Sequence, residues 1–278
     1  MSRRFARALS AVVNMACSIQ SERQAAKTKS ELITLLQNQG TMTVETDRGP
    51  LRFHALRGRA LASQIVRFDE DEPETLDWLR QYPKSGDTVW DIGACIGTFA
   101  LYAALDPGVK VLAFEPQATN FGLLNEHIFL NGLTDRISAY CIALSDRQGL
   151  DTLELDNLIV GGALHSLSGH TNQFGGKPMA GSQAVPAMTV DGFRALFGLP
   201  APQHIKLDVD GIEGAILQGA TETLPHVRSI LVEVEGDNAL HAGERIEPFL
   251  NAAGFDEVMD VRTTGSCRNR LYVNRNAG

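Results

Sequence analysis

Two glycines and two carboxylates near the middle of the chain have the spacing of a nucleoside-binding corner. The apolar stretch 88–92 contains Asp91 and is followed by Gly93 and Gly97, and a second apolar stretch ends at Glu115, about 20 residues after the first glycine. A strand that turns at glycine into a helix lets the backbone approach a ligand closely, because glycine has no side chain in the way. An acid at the end of the next strand is where ribose hydroxyls are held. These residues therefore predict a nucleoside site.

The glycine spacing separates two kinds of nucleoside ligand. A dinucleotide site has the pattern G-x-G-x-x-G, whose middle glycine lets the backbone approach a pyrophosphate. Here Ala94 and Cys95 fill the turn, and the chain lacks that pattern at this corner. The spacing therefore speaks against a nicotinamide-dependent oxidoreductase. That enzyme class stays an alternative because it shares the strand, the turn and the acid.

Further segments on both sides of this corner give the chain a family resemblance. They are the stretch 72–79 (EPETLDWL), the stretch 91–93 (DIG), the stretch 114–116 (FEP), the helix end 125–132, the stretch 205–213 (IKLDVDGIE) and the stretch 217–220 (LQGA). Together they resemble the FkbM family of methyltransferases over roughly residues 42–274. The chain departs from the family pattern at Cys95, where the family mostly has Asn, and at Asp210, where it often has Glu.

The resemblance implies a class I methyltransferase fold, S-adenosylmethionine as methyl donor, and an acceptor hydroxyl on a sugar or a sugar-bearing natural product. The residues expected to bind the donor are Glu72, Thr75, Asp91, Gly93, Gly97, Glu115 and Ala143. By the resemblance, the two glycines would pass beneath the methionine part, Glu115 would accept both ribose hydroxyls, and Ala143 would line the adenine. Glu72 and Thr75 would meet the amino or carboxylate end.

A hydroxyl acceptor needs a group that takes or orients its proton, because a sugar hydroxyl is a very weak acid. Asp208 ends an apolar strand and is the first candidate, and Lys206 on the same strand face would pair with it or lower its pKa. His165, in a Gly-rich stretch, is a second candidate proton acceptor. Asp208, Asp210 and Glu233 are also candidate oxygen ligands for a divalent cation such as Mg²⁺. A metal is not favoured, because acidic strand ends without metal are common at such sites.

Strands and helices alternate along most of the chain, which predicts an α/β fold. The predicted strands are 88–92, 109–114, 136–142, 203–209, 228–234, 255–261 and 269–274, and the predicted helices are 29–39, 73–81, 98–105, 117–130, 189–197, 212–219 and 243–253. The alternation implies a mostly parallel, seven-stranded, Rossmann-like sheet with helices on both faces. A β-hairpin is predicted within residues 42–56, at the start of a methyltransferase domain of residues 41–278 that follows a helical extension of residues 1–40. The Gly-rich stretch 161–186 is predicted to be a substrate loop or lid.

Charge and cysteine usage exclude several classes of partner. The net charge is −8 over 278 residues, without a stripe of Lys and Arg, so a nucleic-acid partner is not expected. The four cysteines are widely scattered, which is typical of reduced thiols and predicts a cytoplasmic location. The sequence has no apolar run of the ~18 residues that a transmembrane span needs.

The first 20 residues combine a basic start with apolar positions at helical spacing. An export signal is disfavoured, because Asn14 interrupts the apolar run and no small-residue cleavage site follows it. The pattern predicts an amphipathic helix that docks on its own domain or on another subunit, which would make a homo-oligomer. A weak contact with a membrane surface through Arg3, Arg4 and Arg7 is a further alternative.

The combined prediction is an S-adenosylmethionine-dependent O-methyltransferase that acts on a small-molecule or glycan acceptor. Two alternatives remain at this point. One is an NAD-dependent oxidoreductase. The other is a non-catalytic assembly subunit of a polysaccharide system, for which Cys95 and the N-terminal helix would be the marks of divergence.

Overall fold

The computed structural model describes residues 2–55, 59–157, 159–162, 165–167, 180–234 and 242–276. Its α-helices are α1 Ser2–Ser18, α2 Glu22–Gln39, α3 Arg59–Val66, α4 Phe68–Asp71, α5 Pro73–Gln81, α6 Thr98–Ala104, α7 Ala118–Leu130, α8 Val190–Phe197, α9 Glu213–Gln218 and α10 Ala242–Ala252. Its strands are β1 Thr41–Thr46, β2 Gly49–His54, β3 Thr88–Ile92, β4 Lys110–Phe114, β5 Ile137–Tyr140, β6 Ala143–Leu144, β7 Gly149–Leu155, β8 Ser166–Leu167, β9 Gly181–Met188, β10 His204–Leu207, β11 Ser229–Glu233, β12 Phe255–Val258 and β13 Asn269–Asn274.

The main sheet has seven strands in the order β12-β13-β11-β10-β3-β4-β5. The five strands from β11 to β5 are parallel, whereas β13 is antiparallel to both of its neighbours. The chain leaves β3 toward β4 and β5 and later returns to the other side of β3 with β10. The strand order therefore reverses between β3 and β10, where ligands bind in such sheets. This arrangement confirms the predicted class I methyltransferase, Rossmann-like α/β fold.

Two apolar clusters cover the two faces of this sheet. Trp90, Ile205 and Val232 point to one face, together with buried residues of α8, α9 and α10. Val89 and Leu231 point to the other face, together with buried residues of α5, α6, α7 and the β1–β2 hairpin. Successive residues of a strand alternate between the faces, and both faces are covered, so the strands read as nearly continuous apolar runs.

A second sheet of four strands, in the order β6-β9-β7-β8, corrects the prediction for the Gly-rich stretch 161–186. Strand β9 pairs antiparallel with β7 from Gly181 to Ala187, so 181–186 is not a loop. Its apolar residues alternate, with Val185 and Ala187 buried and Pro186 exposed between them. Pro186 lies on the exposed face of the strand, and this proline together with Gly181 concealed the alternation in the sequence. Residues 163–164 and 168–179 of the predicted loop lie outside the described residues.

Several elements near the two ends of the chain differ from prediction in their bounds or contacts. The hairpin is confirmed, with β1 and β2 joined at Asp47 and Arg48. The predicted helix 29–39 begins earlier, at Glu22, and the predicted strand 255–261 ends at Val258 and continues as a 3₁₀ turn. Helix α1 packs on α2, and its apolar residues remain exposed instead of docking on the domain. Within the described parts of the chain, we found no helix that is long and apolar enough to cross a membrane.

A buried polar cluster lies where β10 and β11 begin. Nδ1 of His204 lies 2.7 Å from Oγ of Ser229, and Nε2 lies 3.2 Å from Oδ2 of Asp87. Trp78 donates its Nε1–H to the same Ser229 hydroxyl at 2.8 Å, and Arg228 pairs with Asp87. Ser229 is fully buried, and the cluster contributes no residue to the cavity described below. This Ser-His-Asp arrangement is therefore structural, since a nucleophile must reach its substrate.

Candidate active site

The corner after β3 requires glycine at its first position. Gly93 has φ +87°, and a Cβ built there would lie 1.7 Å from the carbonyl oxygen of Asp208, which follows β10. The amides of Gly93 and Ala94 both donate to the carbonyl of Phe114 at the end of β4. Three neighbouring strand ends are thus drawn together, and no side chain other than hydrogen fits between them.

A cavity of about 650 Å³ opens at this corner, within the ~300–1,000 Å³ of ligand pockets in proteins. It lies beyond the carboxyl ends of β3, β4, β10 and β11, and residues of β6, β7 and β8 help to close it. The predicted site residues that line it are Glu72, Gly93, Glu115, Ala143, His165, Asp208, Asp210 and Glu233. Four other predicted residues, Thr75, Asp91, Gly97 and Lys206, lie behind this wall.

Glu115 faces the cavity with its carboxylate held by the backbone. Its Oε2 accepts the amide N–H of Cys95 and its Oε1 accepts that of Gln117, both at 2.8 Å. Cys95 has φ +50°, a left-handed conformation in which its amide points at this carboxylate. Burial raises the pKa of Glu115 to about 7, and the two backbone hydrogen bonds oppose that rise. Each oxygen retains a second lone pair for a ligand hydroxyl.

A buried cation lies directly behind the cavity wall. Nζ of Lys206 donates to Oδ2 of Asp208 at 2.5 Å and lies 5.0 Å from the ring centre of Phe99. Burial alone would lower the pKa of Lys206, but the surrounding carboxylates of Asp208, Glu72 and Asp91 outweigh it and raise the pKa. Lys206 is therefore charged, and it compensates carboxylates on three different elements.

Asp91 is the most deeply buried of these carboxylates. It pairs in register with Lys206 across β3 and β10 and is 3% exposed. Burial raises its pKa to about 6, against the opposing effect of Lys206. Asp91 therefore faces Lys206 and the inner wall, and any effect of it on a ligand passes through its neighbours.

Asp208 and Glu233 form a second pair of acids at the ends of β10 and β11. Burial would raise the pKa of Asp208, but Lys206 and a hydrogen bond with Glu233 lower it. Burial and the Asp208 charge raise the pKa of Glu233. The pair therefore holds one proton, on Glu233, and Asp208 remains ionised.

Arg268 joins Glu233 to Glu72 at the edge of the cavity. Its guanidinium lies 2.8 Å from Glu233 and 3.7 Å from Glu72. Thr75 is fully buried and donates its hydroxyl to Glu72 at 2.9 Å, and the Asn269 amide donates to Glu72 at 3.2 Å. Thr75 therefore orients Glu72 from behind, and Glu72 itself reaches the cavity.

The candidate metal ligands are engaged with one another and with cations. Asp208 and Glu233 share a hydrogen bond, Lys206 pairs with Asp208, and Arg268 lies 2.8 Å from Glu233. Among the described residues, no three side chains of the types that bind metals come together in a cluster. Asp210 lines the cavity separately, in a left-handed conformation with φ +62°.

The turn that carries Asp210 is held by Glu213. Oε1 of Glu213 accepts the amides of Val209 at 3.3 Å and Gly211 at 3.1 Å. Glu213 is 3% exposed, and burial raises its pKa to about 7. Glu213 therefore stabilises the turn that follows β10 from a buried position.

Gly97 has a packing role at the start of α6, and its predicted contact with the donor stays a prediction. It caps α6 with φ +88°, and a Cβ there would lie 2.3 Å from Cδ1 of Leu124 on α7. Gly97 does not line the cavity. Close packing of α6 on α7 explains this glycine.

His165 lies at the cavity just before β8. Burial lowers the pKa of its imidazole, and Asp156 opposes that shift. Both ring nitrogens are buried and accept or donate no hydrogen bond among the described residues. A neutral imidazole at the wall of a cavity, with no hydrogen bond on either nitrogen among the described residues, is a candidate proton acceptor.

Asn120 fastens the segment before His165 to the body of the domain. Its Nδ2 donates to the carbonyl of Gly162 at 3.1 Å, and its Oδ1 accepts the amide of Gly161 at 2.8 Å. Asn120 is 1% exposed and lines the cavity on α7. Sequence reasoning missed this residue, as it missed Arg268, because both act through contacts with distant parts of the chain.

The charge of the cavity wall favours a cationic ligand. Its described acidic residues are Asp71, Glu72, Glu115, Asp208, Asp210 and Glu233, and its described basic residues are His165 and Arg268. With Glu233 protonated and Arg268 paired, the acids still exceed the bases. Such a wall attracts a positive centre and repels a pyrophosphate.

The order of the sheet and the cavity at its switch point define a Rossmann-like fold of the class I methyltransferase type. The family model described as the methyltransferase FkbM domain matches residues 91–257. The chain therefore belongs to the FkbM methyltransferase family. The match covers the glycine corner, Glu115, the second sheet and the strands that carry Lys206 and Glu233.

Curated relatives agree with this assignment. Hexuronic acid methyltransferase AglP of Haloferax volcanii is 28% identical over 64% of this chain and 66% of its own length, so the match spans just under two thirds of that relative. The 31-O-demethyl-FK506 methyltransferase FkbM of Streptomyces tacrolimicus is 28% identical over 70% of this chain and 83% of its own length. The 2-O-methyltransferase NoeI of Sinorhizobium fredii is 26% identical over 58% of this chain and 68% of its own length.

Proposed function

We propose that this protein transfers the methyl group of S-adenosylmethionine to a hydroxyl of a sugar, a glycan or a glycosylated natural product. The observation that carries the proposal is the acid-rich cavity on the open corner at Gly93. The names of the relatives support the acceptor class, because one is called a hexuronic acid methyltransferase and another a 2-O-methyltransferase. The cytoplasmic location predicted from the cysteines is part of the proposal.

The residues around the corner fit the proposed methyl donor. Glu115 presents a carboxylate with free lone pairs to the cavity, as a pair of ribose hydroxyls needs. Ala143 is small and apolar in the wall, which suits the flat face of an adenine. Glu72 is suited to the ammonium of the methionine part, since Thr75 and Asn269 fix its orientation.

The same cavity disfavours the alternative dinucleotide. When bound, S-adenosylmethionine supplies a methyl group made electrophilic by its positive sulfur. A sulfonium is stabilised by the surrounding carboxylates, whereas the pyrophosphate of NAD would meet Asp208, Asp210 and Glu115. The turn also lacks the middle glycine through which a backbone approaches phosphates, because Ala94 and Cys95 stand there.

Two groups of the chain are suited to handle the acceptor hydroxyl. Asp208 is ionised and fixed by Lys206 at 2.5 Å, so it accepts a hydrogen bond from the hydroxyl and orients the oxygen. His165 is neutral and makes no hydrogen bond through its ring nitrogens among the described residues, so it would take the hydroxyl proton while the methyl carbon passes from the donor sulfur to the oxygen and S-adenosylhomocysteine is left. Lys206 is a positioning residue in this scheme, because it acts through Asp208.

Ligand binding tests the first half of the proposal. We expect S-adenosylmethionine and S-adenosylhomocysteine to raise the Tm of the protein and NAD to leave it unchanged, in a thermal-shift titration of the full chain. A larger stabilisation by NAD would overturn the proposal in favour of an oxidoreductase.

Product formation tests the second half. The protein is incubated with methyl-labelled donor and a panel of uronic acids, oligosaccharides and glycosylated macrolides, and the products are analysed by mass spectrometry. We expect one acceptor class to gain a methyl group, and Asp208→Asn to lower kcat while the donor Kd stays within about threefold. Donor binding with no methylated product across the panel would favour the non-catalytic assembly subunit.

A further inference from the structure

Helix α1 presents an apolar face that nothing in the described structure covers. Phe5, Leu9, Val12 and Met15 recur at intervals of three and four residues, which places them on one side of a helix. Their exposed fractions are 75%, 52%, 56% and 71%, and the next apolar residue, Ile19, is 89% exposed. We call these five residues the α1 apolar face.

The opposite side of α1 is already occupied. Cys17 is 4% exposed, and α1 packs on α2. The side chain of Thr28 on α2 donates to Gln20 in the turn between the two helices at 3.1 Å, which closes the helical hairpin. The α1 apolar face therefore points away from α2, and rotation of α1 to bury it would expose Cys17.

The charge of α1 differs in sign from that of the whole protein. The helix contains Arg3, Arg4 and Arg7 and no acidic residue, whereas the chain has a net charge of −8. Arg4 and Arg7 are exposed. A helix with an exposed apolar face, basic residues and low overall hydrophobicity has the composition of helices that lie in a lipid interface.

We propose that α1 lies in the interface of an anionic lipid surface, with its apolar face in the acyl region and its arginines at the lipid phosphates. Charge complementarity selects this occupant. Anionic lipids attract the basic helix, whereas the net charge of −8 of the whole chain opposes a broad contact. The short helix makes the contact reversible, since it buries only a few side chains.

A second copy of the chain is the competing occupant. Its net negative charge would attract the arginines, but the α1 apolar face also needs an apolar partner surface. Exposed large apolar residues lie on α2 (Ile33, Leu35 and Leu36) and on α8 (Leu196 and Phe197), so the oligomeric state measured below separates this occupant from a lipid surface. A lipid interface satisfies both the apolar face and the arginines.

Co-sedimentation with vesicles tests the proposal on the full chain. We expect binding to phosphatidylcholine vesicles that contain phosphatidylglycerol and none to pure phosphatidylcholine, and we expect binding to weaken as salt is added. Arg4→Gln with Arg7→Gln should lower the partition coefficient about 30-fold, at about fivefold for each basic residue. Leu9→Gln with Met15→Gln should abolish binding, while circular dichroism shows unchanged helix content.

Leu150→Gln is the matched control, because Leu150 is the most exposed of the described large apolar residues at 91% and lies on β7. It should bind vesicles as the unmodified protein does. Equal binding by the Leu9→Gln, Met15→Gln variant would overturn the proposal. The absence of vesicle binding by the unmodified protein would also overturn it. In that case, light scattering that shows a dimer, dissociated by the same double substitution, would identify a second copy as the occupant, and a monomer would leave the lipid proposal refuted as well.

Discussion

Replacement of Glu115 by Gln tests the cavity at its most informative group. Both oxygens of Glu115 accept backbone N–H groups, from Cys95 and from Gln117. A glutamine amide has one acceptor oxygen, so one of these two buried N–H groups loses its partner. The cost of leaving it unsatisfied is about 1–3 kcal/mol. The ligand would also lose one acceptor for its hydroxyls, so we expect the Kd for S-adenosylmethionine to rise about 10- to 100-fold.

The pH dependence of Glu115 has a definite sign. Burial raises its pKa from 4.5 to about 7 in the folded protein. A carboxyl group with a raised folded pKa favours folding while it is protonated, and that contribution is lost as the pH rises from 4.5 through about 7. At 1.36 kcal/mol for each pKa unit, the loss is at most about 3 kcal/mol. A bound sulfonium and hydroxyl donors stabilise the ionised form, so binding near neutral pH releases a proton.

Isothermal titration calorimetry measures both effects. We expect the affinity of the unmodified protein for S-adenosylmethionine to fall as the pH is lowered from about 8 to about 6, approaching tenfold per unit below the pKa of Glu115. The proton release appears as a binding heat that depends on the ionisation enthalpy of the buffer. S-adenosylhomocysteine lacks the positive sulfur and should release fewer protons. Glu115→Gln should remove the part of the pH dependence that Glu115 contributes.

The control is Glu257→Gln. Glu257 lies on β12, pairs with Arg262 and does not line the cavity. It should leave the Kd and its pH dependence unchanged. If Glu115→Gln folds, keeps the Kd of the unmodified protein and keeps the same pH profile, then the donor does not contact Glu115 and the reasoning from the cavity is wrong.

Three further predictions concern Lys206, Ser229 and Asn120. Lys206→Met leaves Asp208 and its neighbours without their buried cation. It should lower the free energy of unfolding by about 3–5 kcal/mol in urea denaturation, and a variant as stable as the unmodified protein would show that the carboxylates do not need Lys206. Ser229→Ala removes the partner of Trp78 and should cost about 1–3 kcal/mol while kcat stays unchanged, and a loss of turnover at full stability would contradict its structural role. Asn120→Ala frees the segment before His165 and should raise the acceptor KM more than the donor Kd, and the reverse order would place that segment at the donor.

Local patterns in the sequence were sufficient for the corner and the sheet. Gly93 and Glu115 are adjacent to strand ends, and the strands are apolar runs of ordinary length, so motif and topology could be predicted together. Gly93 and Gly97 both have positive φ, but only Gly93 of the two lines the cavity. Sequence spacing does not distinguish a glycine needed by a ligand from one needed by a neighbouring helix.

The residues that were missed act over long sequence distances. Arg268 meets Glu72 from the far end of the chain, and Asn120 meets Gly161 and Gly162 from another element. Side-chain pairs of this kind depend on the final packing and leave no periodic signal in the sequence. The same limit applies to β9, whose pairing with β7 shows its alternation more clearly than the sequence does.

The polar residues of β10 have a consequence for how the sheet assembles. His204 and Lys206 point to the same face, opposite Ser229 on β11 and Asp91 on β3 respectively. A shift of β10 by two residues would keep every apolar side chain on its own face. Apolar packing alone therefore does not exclude this wrong register. The shift would also separate Lys206 from Asp91 and His204 from Ser229. We therefore expect these two side chains to specify the register of β10 and to disfavour mispaired sheets during folding.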